Sequence, residues 1–244
     1  MTENEPRIRT KQINGPEGRF ALMFDAERWP QLSEHQFNAS GYTNAQAVAG
    51  QGGRGSAWFV PTPAGDAVLK HYLRGGLLAK FVTDRYVYLG ASHTRGFQEF
   101  ELLSALTELG LPVPKPLAAF CQRGLFSYRA ALVTERLQNV YSLVSAVQKS
   151  NAPWQALGET LARFHKAGAH HSDLNANNIL LNQQDEVFII DWDKCALETA
   201  PGAWCEKVLA RLQRSLLKEC KQSNASQLQH GVANMLKTYQ QAML

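Results

Sequence analysis

The stretch His171-Ser172-Asp173-Leu174-Asn175-Ala176-Asn177-Asn178, followed by Val187-Phe188-Ile189-Ile190-Asp191-Trp192-Asp193, decides how the rest of this chain is read. Asp173 and Asn178 stand five residues apart. That separation lets one loop turn a carboxylate toward an acceptor hydroxyl while its far end offers an amide oxygen to a divalent cation. Asp191 ends an apolar run that reads as a buried strand, where a carboxylate is placed to hold the metal that bridges nucleotide phosphates. Taken singly, an Asp or Asn in a polar loop is a turn former or cap, and a His beside an Asp is a structural pair. The joint spacing overrides those readings: His-x-Asp, then Asn178, then Ile179-Leu180-Leu181, then a second apolar strand and Asp191. The pattern points to phosphoryl transfer, with Asp173 as base and Asn178 and Asp191 as metal ligands.

Upstream, Gly50, Gly52 and Gly55 fit a G-x-G-x-x-G loop that opens into the strand-like Ala57-Trp58-Phe59-Val60. Exposed amides in such a loop can cover nucleotide phosphates, although the pattern alone is weak. It gains weight from a second strand-like run, Ala67-Val68-Leu69-Lys70, after the turn Pro61-Thr62-Pro63-Ala64-Gly65-Asp66. A hairpin of these strands puts Lys70 beneath the loop, where its ammonium can neutralise phosphate charge. The carboxylate expected to orient that lysine is Glu99, on a helix predicted from Thr94 to Leu109. Glu99 shares a face with Leu103 and Leu106, whereas Glu101 points away from them.

With 244 residues, 45% of them hydrophobic and 19% charged, the chain can bury a substantial core and is not of disordered composition. The N-terminal Met1 to Arg7 is polar, and no run approaches the roughly 20 apolar residues of a membrane helix, so neither a signal peptide nor a spanning segment is expected. Cys121, Cys195, Cys205 and Cys220 include no C-x-x-C pair, which argues against a zinc knuckle or redox dithiol and for reduced thiols. A formal net charge of +4 favours anionic partners without calling for nucleic acid.

Strand signals run from about residue 20 to 90 and again over Tyr128 to Glu135, separated by the predicted helix and its stop, Gly110 to Pro116. From Trp154 to Lys166 a helical pattern places Leu157, Leu161 and Phe164 on one stripe, and the chain after Asp193 reads as mostly helical. An α+β, two-lobed arrangement follows: a strand-rich, nucleotide-binding N-lobe over 1–134 and a helical C-lobe over 135–244, with the active site in the cleft. Lys207, Arg211, Arg214 and Lys218 recur at helical spacing opposite Leu209, Leu212 and Leu216. They form either the solvated side of an ordinary amphipathic helix or a basic face for anionic headgroups.

The chain resembles the protein-kinase-like superfamily, and more closely the bacterial 3-deoxy-D-manno-octulosonic acid (Kdo) kinases of lipopolysaccharide core assembly. The matching segments are Leu69 to Gly76, Asp84-Arg85-Tyr86, Thr94 to Phe100, Pro112 to Pro116, Asp173 to Leu180 and Asp191 to Cys195, which leave mainly the two ends uncovered. The resemblance implies a protein-kinase-like fold that uses ATP and Mg2+ to phosphorylate the 4-hydroxyl of Kdo on Kdo-lipid A. It also implies peripheral attachment to the anionic cytoplasmic face of the inner membrane. By the same resemblance Asp173 is the catalytic base, Asn178 and Asp191 hold magnesium, Lys70 clamps phosphate and Glu99 is its partner.

Two departures bear on the acceptor. Protein kinases carry Lys two residues after the catalytic Asp, where this chain has Asn175, and Asp191-Trp192-Asp193 stands in place of D-F-G. Both resemble small-molecule kinases. A serine/threonine protein kinase is the competing reading, weakened by a short tail after Asp193 and by Ala200-Pro201-Gly202, which lacks the Glu of A-P-E. A catalytically silent kinase-like binding module would have lost Lys70, Asp173, Asn178 or Asp191, and all four are present. Arg74, Lys80, Arg85 and Arg95 are either contacts for the acceptor's carboxylate and phosphates or solvated surface charge, and no Kdo-binding residue is named among them. The number of Kdo units and the oligomeric state are left open.

Overall fold

Antiparallel pairing organises the first part of the chain. In the computed structural model the described residues are 7–15, 18–48, 57–72, 86–87, 90–124 and 127–244. The glycine run with Gly50, Gly52 and Gly55, and with it Arg74, Lys80 and Arg85, lies outside them. Eight strands build one sheet: β1 (Ile8–Gly15), β2 (Gly18–Asp25), β3 (Gln46–Ala47), β4 (Ala57–Thr62), β5 (Gly65–His71), β6 (Tyr86–Val87), β7 (Pro116–Arg123) and β8 (Ser127–Glu135). Their order is β1-β2-β7-β8-β5-β4-β3, and β6 pairs with the start of β8. The core on one face joins Leu22, Trp29, Leu69, Leu117 and Val133, all of them shut away from water.

The predicted hairpin is present and tighter than expected. β4 continues through Pro61 to Thr62, which pairs with Gly65, so only Pro63 and Ala64 turn the chain. Pro61 is tolerated because β3 pairs with Trp58 and Phe59 alone and needs no amide from it. Gly65, at φ +107°, takes a backbone conformation that favours glycine just where the chain leaves the turn and enters β5. Two stretches differ from expectation. Between β2 and β3 the chain makes short 3-10 turns, Glu34–Phe37 and Ala39–Gly41, where strand signals were read. The unforeseen β7 starts directly from the proline-rich stop and buries Leu117, Ala118, Ala119, Phe120 and Cys121 in succession.

Helix α1 (Arg95–Glu108) follows Thr94, whose hydroxyl donates to the Ala91 carbonyl at 2.7 Å and whose own carbonyl accepts from Gln98. Gly96 lets this helix approach the sheet: a Cβ there would lie 2.9 Å from the Ala131 carbonyl oxygen.

By Cα packing the chain divides into Met1–Ser104 with Lys115–Arg136, and Ala105–Pro114 with Leu137–Leu244. The second unit contains β9 (Tyr141–Ser142), α2 (Leu143–Gln148), α3 (Trp154–Lys166), β10 (Ala169–His170), β11 (Ile179–Leu181), β12 (Val187–Ile189), β13 (Ala196–Leu197), α4 (Ala203–Glu219) and α5 (Ala225–Met243). Leu157, Leu161 and Phe164 of α3 are buried, as their stripe predicts. On another side α3 meets α5 so closely that a Cβ on Gly158 would strike the Met235 carbonyl, and one on Gly231 the Trp154 indole. β11 pairs with β12 on one side and β9 on the other, while β10 pairs with β13. The four cysteines are free thiols, and Cys121, Cys205 and Cys220 are buried.

Candidate active site

In the first unit Lys70 sits in β5 opposite Ala57, the residue at which the chain enters β4 after the glycine run. Its Nζ donates to both carboxylate oxygens of Glu99, at 3.2 and 3.0 Å. The Glu99 side chain is almost fully buried, so its charge needs compensation from more than one donor. The second is Tyr72, whose hydroxyl donates to Oε2 at 2.6 Å. Lys70 Nζ and the Arg95 guanidinium each lie 5.1 Å from the centre of the Tyr72 ring. Lys70, Tyr72 and Glu99 thus form one cluster. Tyr72 was not anticipated, although strand alternation from Lys70 puts it on the same side, and its N–H extends the ladder to the Ala130 carbonyl at 3.1 Å.

In the second unit the loop from His171 to Asn178 is braced largely by its own side chains. The Asp173 carbonyl accepts from the side-chain amides of Asn175, at 3.0 Å, and Asn178, at 3.1 Å. Asn175 also accepts the Asn177 amide at 2.9 Å and caps the short turn Ala176–Asn178. The residue that replaces the expected lysine therefore holds the loop's shape.

His171 is buried and joins the loop to the strand beyond it. Its Nδ1 accepts the Asp173 amide at 3.3 Å, so the ring proton resides on Nε2, which donates to the Ile190 carbonyl at 3.1 Å. The ring stands edge-on to Trp192, with centroids 4.8 Å apart; Trp192 in turn stacks on Phe164 and donates from Nε1 to the Ile189 carbonyl.

Asn178 and Asp191 come together through the β11–β12 hairpin. Ile179 pairs with Ile189, and the Ile190 amide donates to the Asn178 carbonyl at 3.0 Å, so Asp191 is the next residue beyond Asn178's partner. Asp191 has φ +64°, a left-handed conformation that costs a non-glycine residue free energy and turns the chain sharply at the strand end. The Asn178 amide nitrogen is committed to the Asp173 carbonyl, which leaves Oδ1 as the atom of this side chain suited to a metal. One carboxylate and one amide oxygen, both hard donors, suit a magnesium ion, which these two residues would hold.

The exposed Asp173 carboxylate is met by Arg211 of α4, whose Nη1 lies 2.5 Å from Oδ1. One turn further along α4, the Ser215 hydroxyl accepts the Ala176 amide at 3.0 Å. Arg211 is thus one of two points at which α4 grips the loop, besides being part of a spaced row of cations. Lys207, Arg214 and Lys218 are exposed, while Leu209, Leu212 and Leu216 are buried. No local pattern points to Arg211 as a partner of Asp173, because the two are 38 residues apart.

Residues 40–239 match the model of the lipopolysaccharide kinase (Kdo/WaaP) family. The chain belongs to that family. It is 43% identical over 224 residues to a 3-deoxy-D-manno-octulosonic acid kinase of Stenotrophomonas maltophilia (strain R551-3), covering 91% of this chain and 90% of the relative. It is 46% identical over 203 residues to the enzyme of that name from Xanthomonas axonopodis pv. citri (strain 306), with 82% of each covered. Among solved structures, a glucosamine kinase in its crystal form B aligns with a TM-score of 0.52 and 11% identity over 98% of this chain and 82% of that one, a likeness of fold. Family membership makes the chain a phosphotransferase with an alcohol group as acceptor, and its fold is like that of the glucosamine kinase.

Proposed function

We propose that this enzyme transfers the terminal phosphoryl group of ATP to the 4-hydroxyl of Kdo on Kdo-lipid A, in the assembly of the lipopolysaccharide inner core. The observation that carries the reading is the hairpin that brings Asn178 and Asp191 to one strand end, with the same Asn178 tied to the backbone of Asp173. The identity of the acceptor rests on the two Kdo kinases to which the chain is similar over most of its length. ATP and Mg2+ supply the transferred group and neutralise its charge.

Asp173 takes the proton of the acceptor hydroxyl as the oxygen attacks. The amides of Asn175 and Asn178 fix its backbone, and His171 holds its N–H in register with Ile190. Asn178 and Asp191 hold the metal, and Lys70, steadied by Glu99 and Tyr72, meets phosphate oxygens. The glycine run with Gly50, Gly52 and Gly55 is assigned to the nucleotide phosphates on its sequence pattern alone. A protein-kinase reading is disfavoured by the path after Asp193: the chain forms only the short β13 before α4 begins at Ala203, with no long segment to seat a peptide.

The enzyme works at the cytoplasmic face of the inner membrane as a peripheral protein. No helix among the described residues is long and apolar enough to cross a membrane, and Lys207, Arg214 and Lys218 offer a basic surface for anionic headgroups.

The test incubates the full chain with labelled ATP, Mg2+ and Kdo-lipid A, beside generic protein substrates. Label on the 4-position of Kdo, reduced at least about a hundredfold by Asp173→Asn, is the expected result. Label on protein and none on Kdo-lipid A overturns the reading.

A further inference from the structure

We propose that Arg211 is the residue that recognises the acceptor's carboxylate, and that it exchanges Asp173 for that carboxylate when the acceptor binds. The inference rests on the Kdo reading above and goes beyond it by naming the acceptor contact.

Arg211 is held beside the reacting group by construction. Its helix is anchored underneath by buried Val208, Leu212 and Leu216, and the Ser215 hydroxyl takes the Ala176 amide. The guanidinium therefore emerges next to Asp173 at a fixed height along the loop. Among the described residues only Nη1 is engaged, and with about half of the side chain exposed, the remainder of its five-donor fork is open to a second oxyanion.

The acceptor makes such a cation necessary. Kdo carries its carboxylate on ring carbon 2 and the reacting hydroxyl on ring carbon 4, so a hydroxyl seated on Asp173 brings a second carboxylate close to the first. Two like charges at that separation repel unless a cation lies between them. Arg211 already touches one of the two and presents the planar fork that binds a carboxylate bidentately. Moving it onto the acceptor frees the Asp173 oxygen to receive the hydroxyl proton, so capture of the correct acceptor and release of the base become one event. An acceptor without a carboxylate offers Arg211 no exchange and leaves it on Asp173. Asn175 cannot take this role, because its amide is spent on the Asp173 carbonyl.

The experiment compares Kdo-lipid A with the same acceptor after reduction of the Kdo carboxylate to an alcohol, for the wild-type chain, Arg211→Gln and Arg211→Lys. Wild type should favour the carboxylate by about 30-fold in kcat/KM, a preference lost in Arg211→Gln through a raised KM for Kdo-lipid A with the KM for ATP unchanged. The reduced acceptor should be used by Arg211→Gln at least as well as by wild type, because no guanidinium is then left on the Asp173 oxygen. Arg211→Lys keeps the charge but not the fork, and should retain a preference cut to a few fold; it also serves if Arg211→Gln fails to fold. An equal loss on both acceptors in Arg211→Gln, or an undiminished preference in Arg211→Lys, overturns the proposal while leaving the Kdo kinase reading intact. Wild type that phosphorylates neither acceptor sinks both.

Discussion

The Tyr72 hydroxyl donates a 2.6 Å hydrogen bond to the same Glu99 oxygen that lies 3.0 Å from Lys70 Nζ, so the carboxylate that aims the lysine is itself held from a second side. A hydrogen bond to a charged acceptor contributes about 1.5–3 kcal/mol. Tyr72→Phe keeps the ring under Lys70 and Arg95 and removes that bond. The KM for ATP should rise about tenfold while the KM for the acceptor holds, as steady-state kinetics with each substrate varied in turn would show. Unchanged ATP kinetics would remove Tyr72 from the cluster's function.

Asp191→Asn tests the metal assignment. The amide preserves shape at a strained backbone position but is a poorer ligand for a hard cation. Half-maximal activity should require about tenfold more Mg2+, with part of the lost rate restored at saturating metal. A Mg2+ titration that superimposes on that of wild type would exclude Asp191 from the metal.

Acid should weaken the second unit through His165. Burial, followed by repulsion from His170, lowers its pKa to about 4, and its Nδ1 lies 2.7 Å from the Tyr239 hydroxyl. An unfolded histidine titrates near 6.5. Above that pH both states are neutral and the contribution is intact; as pH falls from about 6.5 toward 4 the unfolded state takes up a proton that the folded state refuses, and stability is lost. Urea unfolding at about pH 7 and pH 5 should show about 2 kcal/mol of this loss in wild type and a flatter dependence in His165→Gln. Parallel slopes would assign the acid sensitivity elsewhere.

A membrane test must leave Arg211 alone, because its pairing with Asp173 ties it to acceptor use whatever happens at the bilayer. Reversing Lys207, Arg214 and Lys218 to Glu should release the protein from anionic vesicles at low salt, since each cation near such a surface contributes about 1 kcal/mol. Sedimentation with vesicles measures this directly. Equal binding by wild type and the triple variant would rule out the α4 surface as the attachment.

What was legible in the chain was local. The spacing of Asp173, Asn178 and Asp191 reports a loop and hairpin closed by near neighbours along the chain, the His171–Ile190 bond spanning 19 residues, and α3 appeared with both its bounds because Leu157, Leu161 and Phe164 mark its buried side. Glu99 could be chosen over Glu101 because helical phase puts only the former beside Leu103 and Leu106; Glu99 is buried and Glu101 exposed. β1 escaped notice because it is a sheet-edge strand of mixed polar residues, and β7 because it grows out of prolines that signal a stop. Arg211 was read only for its helical phase. Helical phase distinguishes a buried face from an exposed one, but it does not reveal which distant loop the exposed face meets.

The contact of Gly158 with Met235 and of Gly231 with Trp154 has a genetic consequence. Every residue assigned to the reaction is encoded before the codon for Leu212, yet α3, which leads into the loop at His171, rests against α5, and His165 finds its partner in Tyr239. A late frameshift or stop codon would therefore spare the whole chemical apparatus and still yield an inactive, aggregation-prone product, because the apolar side of α3 that α5 covers would be left bare. In a survey of gene variants, truncations that remove the codons for Ala225–Met243 belong with the loss-of-function alleles.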